Sequence, residues 1–167
     1  MNWAKVNQDI VKEMVNGLKW GQLPHCWIDD GEYLMATTDG YMAYFIPKNK
    51  VKFVVEGAEI NKPFEHSTDV IVPENEIRAT NTYVKGGFAQ RFFMRVFKGQ
   101  KDGETWTTYI DTNFLKPLES DLKKQDIKFY QFDKTKAANV RPVLAVHDKE
   151  PLMMMLPVRV YEEERFD

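Results

Sequence analysis

The sequence predicts an α+β fold in which two helices lie against two antiparallel sheets, built from one helix-plus-three-strand unit used twice. Three observations predict it. A four-residue apolar period fills the first twenty positions, a second helical stripe appears near residue 114, and each is followed by three short apolar runs separated by turn formers.

From Lys5 to Lys19, Val6, Ile10, Met14 and Leu18 recur every fourth residue, and Val11 and Val15 widen the stripe. That is the pattern of an amphipathic helix with one buried face. Gly21 and Pro24 close it. The runs "HCWID", "EYLMATT" and "YMAYFIP" follow, punctuated by "DDG" and "TDG", where glycine supplies the positive φ of a tight hairpin turn. "VKFVVE" extends the sheet. Residues 57–89 hold no sustained period and several turn formers, Pro63, Pro73, Gly86 and Gly87 among them, and read as a connector with at most short strands.

The second unit repeats this outline. "RFFMRVFKG" and "ETWTTYID" are strands joined at "GQKDG"; Phe114, Leu115, Leu118 and Leu122 form the second helical stripe, capped by Asp111 or Thr112. Pro117 either starts that helix near Lys116 or kinks it. "IKFYQFD", "RPVLAVHD" and "PLMMMLPVRV" complete the set. The expected organisation is one domain over 1–167: a first repeat to about 56, the connector, a second repeat from about 90 to 161, and the acidic tail 162–167.

Composition narrows the functions open to the chain. With 23 Lys and Arg against 25 Asp and Glu, the formal charge is −2, so an anionic partner would need a local basic patch. Cys26 is the only cysteine, which rules out an internal disulfide. No apolar run reaches the roughly 20 residues of a membrane-spanning helix. The N-terminus has no secretory pattern, and a soluble, reducing, cytoplasmic setting is the expectation. Catalysis is not expected. His25, His66 and His147 are scattered, and His25 and Cys26 adjoin in a strand, which sends them to opposite faces. Metal spacing and phosphate loops are missing, and "DDGE" is explained by its turn. No cofactor or metal is expected.

The "ATTDGYMAYF" segment after the first helix, the "YIDTNFLKPL" entry into the second, and the closing "PVLAVHDKEPLMMMLPVRV" together resemble a single domain of the DNA sliding clamp family, the bacterial β clamp in particular. Ala36, Thr37, Asp39 and Gly40 resemble the family's Ala-Thr-Asp-Gly turn with one extra threonine. Leu156, Pro157, Val158 and Arg159 resemble its terminal Met-Pro-x-Arg strand, with leucine in place of methionine. The resemblance implies a non-catalytic processivity factor whose helices face duplex DNA and whose last strand lines a pocket for partner peptides. A bacterial clamp subunit carries three such domains. This chain has length for one, so encirclement of DNA would require a homo-oligomer.

Two residue sets follow. On the helix faces, Lys5, Lys12 and Lys19 fall on one line, as do Lys116 and Lys123 with Lys124 beside them, and these are the duplex-contact candidates. Plain solvated charge is the competing reading. On the last strand, alternation places Met153, Met155, Pro157 and Arg159 on one side and Leu152, Met154, Leu156, Val158 and Val160 on the other. Met153, Met155, Leu156, Pro157, Val158 and Arg159 are the candidates for a groove that receives a partner's short apolar motif. Gap-filling in the core competes with that. Two alternatives stand beside the clamp-like reading: a scaffold or oligomerisation module without DNA contact, and single-stranded nucleic-acid binding by Trp3, Trp20, Trp27, Trp106 and "RFFMRVF", where Arg91, Phe93 and Arg95 share a face.

Overall fold

The computed structural model describes residues 1–19, 27–29, 33–37, 41–53, 75–86, 92–122, 127–131 and 141–158. The chain runs α1 (Trp3–Lys19), β1 (Trp27–Asp29), β2 (Tyr33–Thr37), β3 (Met42–Pro47), a short 3-10 turn (Lys48–Lys50), β4 (Asn75–Gly86), β5 (Phe92–Lys101), β6 (Glu104–Asp111), α2 (Thr112–Leu115), a second 3-10 turn (Lys116–Leu118), α3 (Glu119–Leu122), β7 (Lys128–Gln131), β8 (Val143–His147) and β9 (Glu150–Met155).

Among the described residues, nine strands join one sheet in the order β1-β2-β3-β9-β8-β7-β4-β5-β6, and each of these pairings is antiparallel. The expected two-sheet, duplicated, clamp-like architecture is therefore corrected. A helix precedes three strands at both places, but β3 pairs with β9 and β7 with β4, so the two sets merge across the chain instead of forming separate layers.

The N-terminal helix forms as its period predicts. Asn2 caps it, its side-chain oxygen accepting from the Lys5 amide at 3.1 Å. Val6 and Ile10 are buried, with Trp3 and Met14 packed beside them, whereas Val11 and Val15 face outward: the buried stripe is narrower than expected. Asn7 is the polar exception on the inner face. Its amide donates to the carbonyls of Trp3 (2.7 Å) and Lys50 (3.0 Å), and its oxygen accepts from the Lys52 amide (2.7 Å), which ties α1 to the segment after β3. An Asn7→Ala substitution strands those partly buried backbone groups and is expected to cost roughly 1–3 kcal/mol, read as a lower urea midpoint at unchanged m-value.

The second helix is broken where proline demands it. Asp111 is the cap, its Oδ1 accepting from the Asn113 amide at 2.8 Å, and α2 ends after one turn. Pro117, lacking an amide hydrogen, opens the following 3-10 turn before α3 resumes.

The main core lies on the face shared with the helices: Leu34, Tyr44, Ile77, Phe97, Ile110, Leu118, Phe129, Val143, Met153 and Met155 pack with Val6 and Ile10. Phe97 and Phe129 meet edge to face at 5.0 Å. A smaller cluster of Met35, Phe45, Leu144 and Val146 occupies the opposite face, as strand alternation requires. Two hairpins close on adjacent positive-φ residues: Asp102 (53°) and Gly103 (84°) between β5 and β6, and Asp148 (48°) and Lys149 (69°) between β8 and β9. At Gly99 a Cβ would run into the Trp106 indole, whose Nε1 donates to Gln131 Oε1 at 2.7 Å. Gly99→Val is expected to displace the indole, break that bond and lower stability by about 1–3 kcal/mol in thermal or urea unfolding.

The largest departure from the sequence reading is β4. Twelve residues assigned to the connector form a strand that pairs with β5 along most of its length and with β7 at Asn75, Glu76 and Ile77. "VKFVVE" is not a strand over residues 51–53, and 54–56 lie outside the described residues.

Candidate functional site

Directly opposed residues on antiparallel strands share a face. In the β4–β5 ribbon Tyr83 opposes Arg95 and Lys85 opposes Phe93, on the same face as the buried Phe97 and Ile110. Where the ribbon passes beyond the core, that face comes into solvent: Tyr83 is 54% and Phe93 55% exposed, with Phe92 at 41% on the other side. The two aromatics are each paired with a cation. Lys85 Nζ lies 5.2 Å from the Phe93 ring centre, and the Arg95 guanidinium carbon 5.8 Å from that of Tyr83.

A bulge fixes this geometry. The register between β4 and β5 shifts between Ala79 and Tyr83, leaving Thr80, Asn81 and Thr82 outside regular pairing. Within it, the Thr80 hydroxyl donates to the Val96 carbonyl (2.8 Å) and accepts from the Thr82 amide (3.1 Å), while Arg95 Nε donates to the Thr80 carbonyl (2.8 Å). Arg95 is thereby held by one edge of its guanidinium, stacked beside Tyr83. Thr80→Val removes both hydroxyl bonds and is expected to loosen Arg95, seen as faster exchange of its Nε proton in NMR spectra with the fold otherwise intact.

Charge is concentrated on the same element. Between residues 75 and 101 the sequence has six Lys and Arg against the single Glu76, in a chain whose formal charge is −2. Glu76 lies 3.9 Å from Arg78, which opposes Lys98 on the reverse face of the ribbon. Of these six, Lys85 and Arg95 lie on the face of Tyr83 and Phe93, Arg78 and Lys98 on the reverse face, and Arg91 outside the described residues.

The helix-face lysines are divided. Lys5 and Lys116 line one depression of about 290 Å³ between α1 and the second helical segment, above Met42, Tyr44 and Phe114. Asp9 and Glu13 line it too, and Lys5 Nζ is 3.6 Å from Asp9 Oδ2, so the charge there is balanced. Lys12 is exposed on α1. Lys19 is the last residue of α1, its side chain outside the described residues, where Lys123 and Lys124 also fall.

The terminal-strand groove is corrected at its centre. Met153 and Met155 are fully buried in the main core, and the half-buried Met154 packs against the smaller cluster on the opposite face. The expected alternation fails at Leu152, which the sequence sets opposite Met153 and which is buried in the same main core, because the register with β8 shifts between Ala145 and Val146. β9 ends at Met155; Leu156, Pro157 and Val158 are half-buried, and Arg159 lies outside the described residues. Beyond β9 the Leu156 amide donates to the Tyr41 carbonyl and the Val158 amide to the Tyr109 carbonyl, each at 2.8 Å, so this segment spans from the start of β3 to the free side of β6.

Of the aromatic set, Trp3 and Trp106 pack on the core, Trp27 is in β1, and Trp20 and Arg91 lie outside the described residues. The Arg141 guanidinium sits 5.6 Å from the Trp106 ring centre. Tyr83 and Lys85 escaped the sequence reading because they fell in the supposed connector. The signal that could have found them is the density of cations and aromatics from Arg78 to Lys101 with no acid between. Among the described residues no cluster of His, Cys, Asp and Glu is placed to hold a metal ion, and no helix is long and apolar enough to cross a membrane.

No protein-family model matches the chain, and no curated protein or solved structure matches it either.

Proposed function

We propose that this protein is a non-catalytic nucleic-acid-binding protein that holds single strands, without sequence preference, on the Tyr83–Lys85–Phe93–Arg95 face of the β4–β5 ribbon. The observation that carries this reading is the exposure of two cation-paired aromatics side by side on one basic ribbon. Bases stack on exposed rings whatever their identity, while Lys and Arg meet the phosphates. With Lys85 and Arg95 as the contacts, log K should fall with log salt at a slope near −1.4, from about −0.7 per neutralised phosphate. An oligothymidine titration followed by fluorescence quenching tests this; no binding at low salt, or equal affinity for duplex, would overturn it.

Duplex contact through the helix faces is the second reading, favoured by the convergence of Lys5 and Lys116 on one depression. The acids beside them weaken it. Reversing the charge of Lys5, Lys12, Lys116 and Lys123 together is expected to leave single-strand affinity within about twofold, because none of these residues belongs to the ribbon; a loss of retention on duplex DNA would favour the second reading instead.

A further inference from the structure

We infer that the interior beneath Trp106, lined by Asn75, Thr108, Gln131 and Arg141, is a binding site for a small oxyanion that also carries a hydroxyl group, as a hydroxycarboxylate or a protonated phosphate does. Asn75 begins β4, at the other end of that strand from Tyr83, so the site is separate from the exposed β4–β5 face and does not depend on the role proposed there.

Curling of the sheet brings these residues together. β4 and β5 separate β6 from β7 in the strand order, and three strand spacings would hold them roughly 14 Å apart in a flat sheet. Yet Trp106 Nε1 of β6 donates to Gln131 Oε1 of β7 at 2.7 Å, and the Thr108 hydroxyl donates to the same oxygen at 3.1 Å. Asn75 directly opposes Gln131, and its Nδ2 donates to the Gln131 carbonyl at 3.5 Å. Gln131 Nε2 in turn donates at 3.2 Å to the carbonyl of Arg141, whose guanidinium carbon lies 5.6 Å from the Trp106 ring centre. Asn75, Thr108 and Gln131 are buried and form the floor; Trp106 and Arg141 are half-buried and form the rim.

Two polar atoms of this cluster are buried with no partner among the described residues: Asn75 Oδ1 and Arg141 Nε. The Gln131 carbonyl can only accept, so it holds Asn75 Nδ2 toward itself and turns Oδ1 away. Oδ1 therefore calls for a donor. Arg141 Nε calls for an acceptor, and among the described residues no carboxylate pairs with its guanidinium. Exposed cations such as Lys12 and Lys98 are hydrated, whereas a buried guanidinium edge without an acid carries a desolvation cost that a bound anion offsets. A ligand that answers both atoms presents an anionic oxygen beside an O–H. A plain carboxylate answers Arg141 alone, and water answers the hydrogen bonds but not the charge.

The test titrates the full chain at constant ionic strength with glycolate, inorganic phosphate and acetate, and follows the Trp106 indole N–H resonance by NMR. Expected is a saturable shift with glycolate or phosphate at a Kd on the order of 1 mM, the tighter of the two naming the ligand class. Acetate, which lacks the hydroxyl, is expected to bind about fivefold more weakly than glycolate. R141Q should weaken glycolate about tenfold or more, and N75L should bring glycolate down to the level of acetate. Should either variant fail to fold, the preference of the parent for glycolate over acetate decides alone. No shift in the parent with any probe, equal affinity for acetate and glycolate, or a shift that R141Q leaves unchanged overturns the site. So does a water cross-peak to the Trp106 indole that persists at the highest anion concentration, which assigns the two atoms to an internal water.

Discussion

Replacing Tyr83 and Phe93 together by alanine is expected to reduce single-strand affinity thirtyfold or more while leaving the fold unchanged. Both rings are more than half exposed and sit outside the main core, so their removal opens no cavity. What is lost is stacking, worth about 1–3 kcal/mol per base. The single variants should share the loss, and the salt slope should stay near its original value because Lys85 and Arg95 remain. Arg95→Ala should do the reverse in part: a smaller loss of affinity at low salt, with a slope shallower by about 0.7. Fluorescence anisotropy at several salt concentrations separates the two effects. A double alanine variant that binds as tightly as the parent would remove the ribbon from the account.

The second large effect is on stability. Met153→Ala and Met155→Ala are each expected to cost 2–5 kcal/mol, at the scale of a large-to-small change in a packed core, since both side chains are fully buried among α1, β3 and β8 residues. Urea unfolding measures this directly, with single-strand affinity of the folded fraction unchanged. Had these methionines lined a receptive groove, truncation would leave stability within about 0.5 kcal/mol of the parent and would act on partner binding instead. The same pair of measurements on Leu156→Ala, half-buried beyond the end of β9, is expected to fall between these limits.

Local pattern and long-range pairing were not equally legible. The first helix follows from its period, because a four-residue apolar repeat admits little else. The hairpins β5–β6 and β8–β9 follow from short turns whose residues accept positive φ, while the alternation of β9 is interrupted at Leu152, where its register with β8 shifts. What periodicity does not encode is which strands meet. The pairings of β3 with β9 and β4 with β7 join residues far apart in sequence, and they convert two expected sheets into one. For the same reason alternation divides β9 into two faces without saying which one meets the helices, and Met153 and Met155 were placed on the wrong side of that choice.

The ribbon was hidden by its own bulge. Three residues of β4, Thr80 to Thr82, leave the ladder at the bulge, so the alternation that marks a strand is interrupted at its middle. Beyond the bulge Tyr83 and Lys85 face solvent on the side that should be apolar in a core strand. A strand built to display rings and charges reads as a loop by hydrophobic pattern alone. Phe93 and Arg95 were visible as a pair on β5, but core packing explained them equally well until their cross-strand partners were in place. Asn7 is a comparable case on α1: a polar residue on a buried face breaks the stripe and becomes intelligible only when Lys50 and Lys52 are brought against it.

The most direct test of the central claim is ultraviolet crosslinking of the full chain to a thymidine-rich single strand, with the modified residues located by peptide mass mapping. The account predicts crosslinks at Tyr83 and Phe93, lost when unlabelled single strand is added and retained when duplex is added. Crosslinks confined to α1 and the Lys116 region, or none under conditions where the strand is bound, would contradict it.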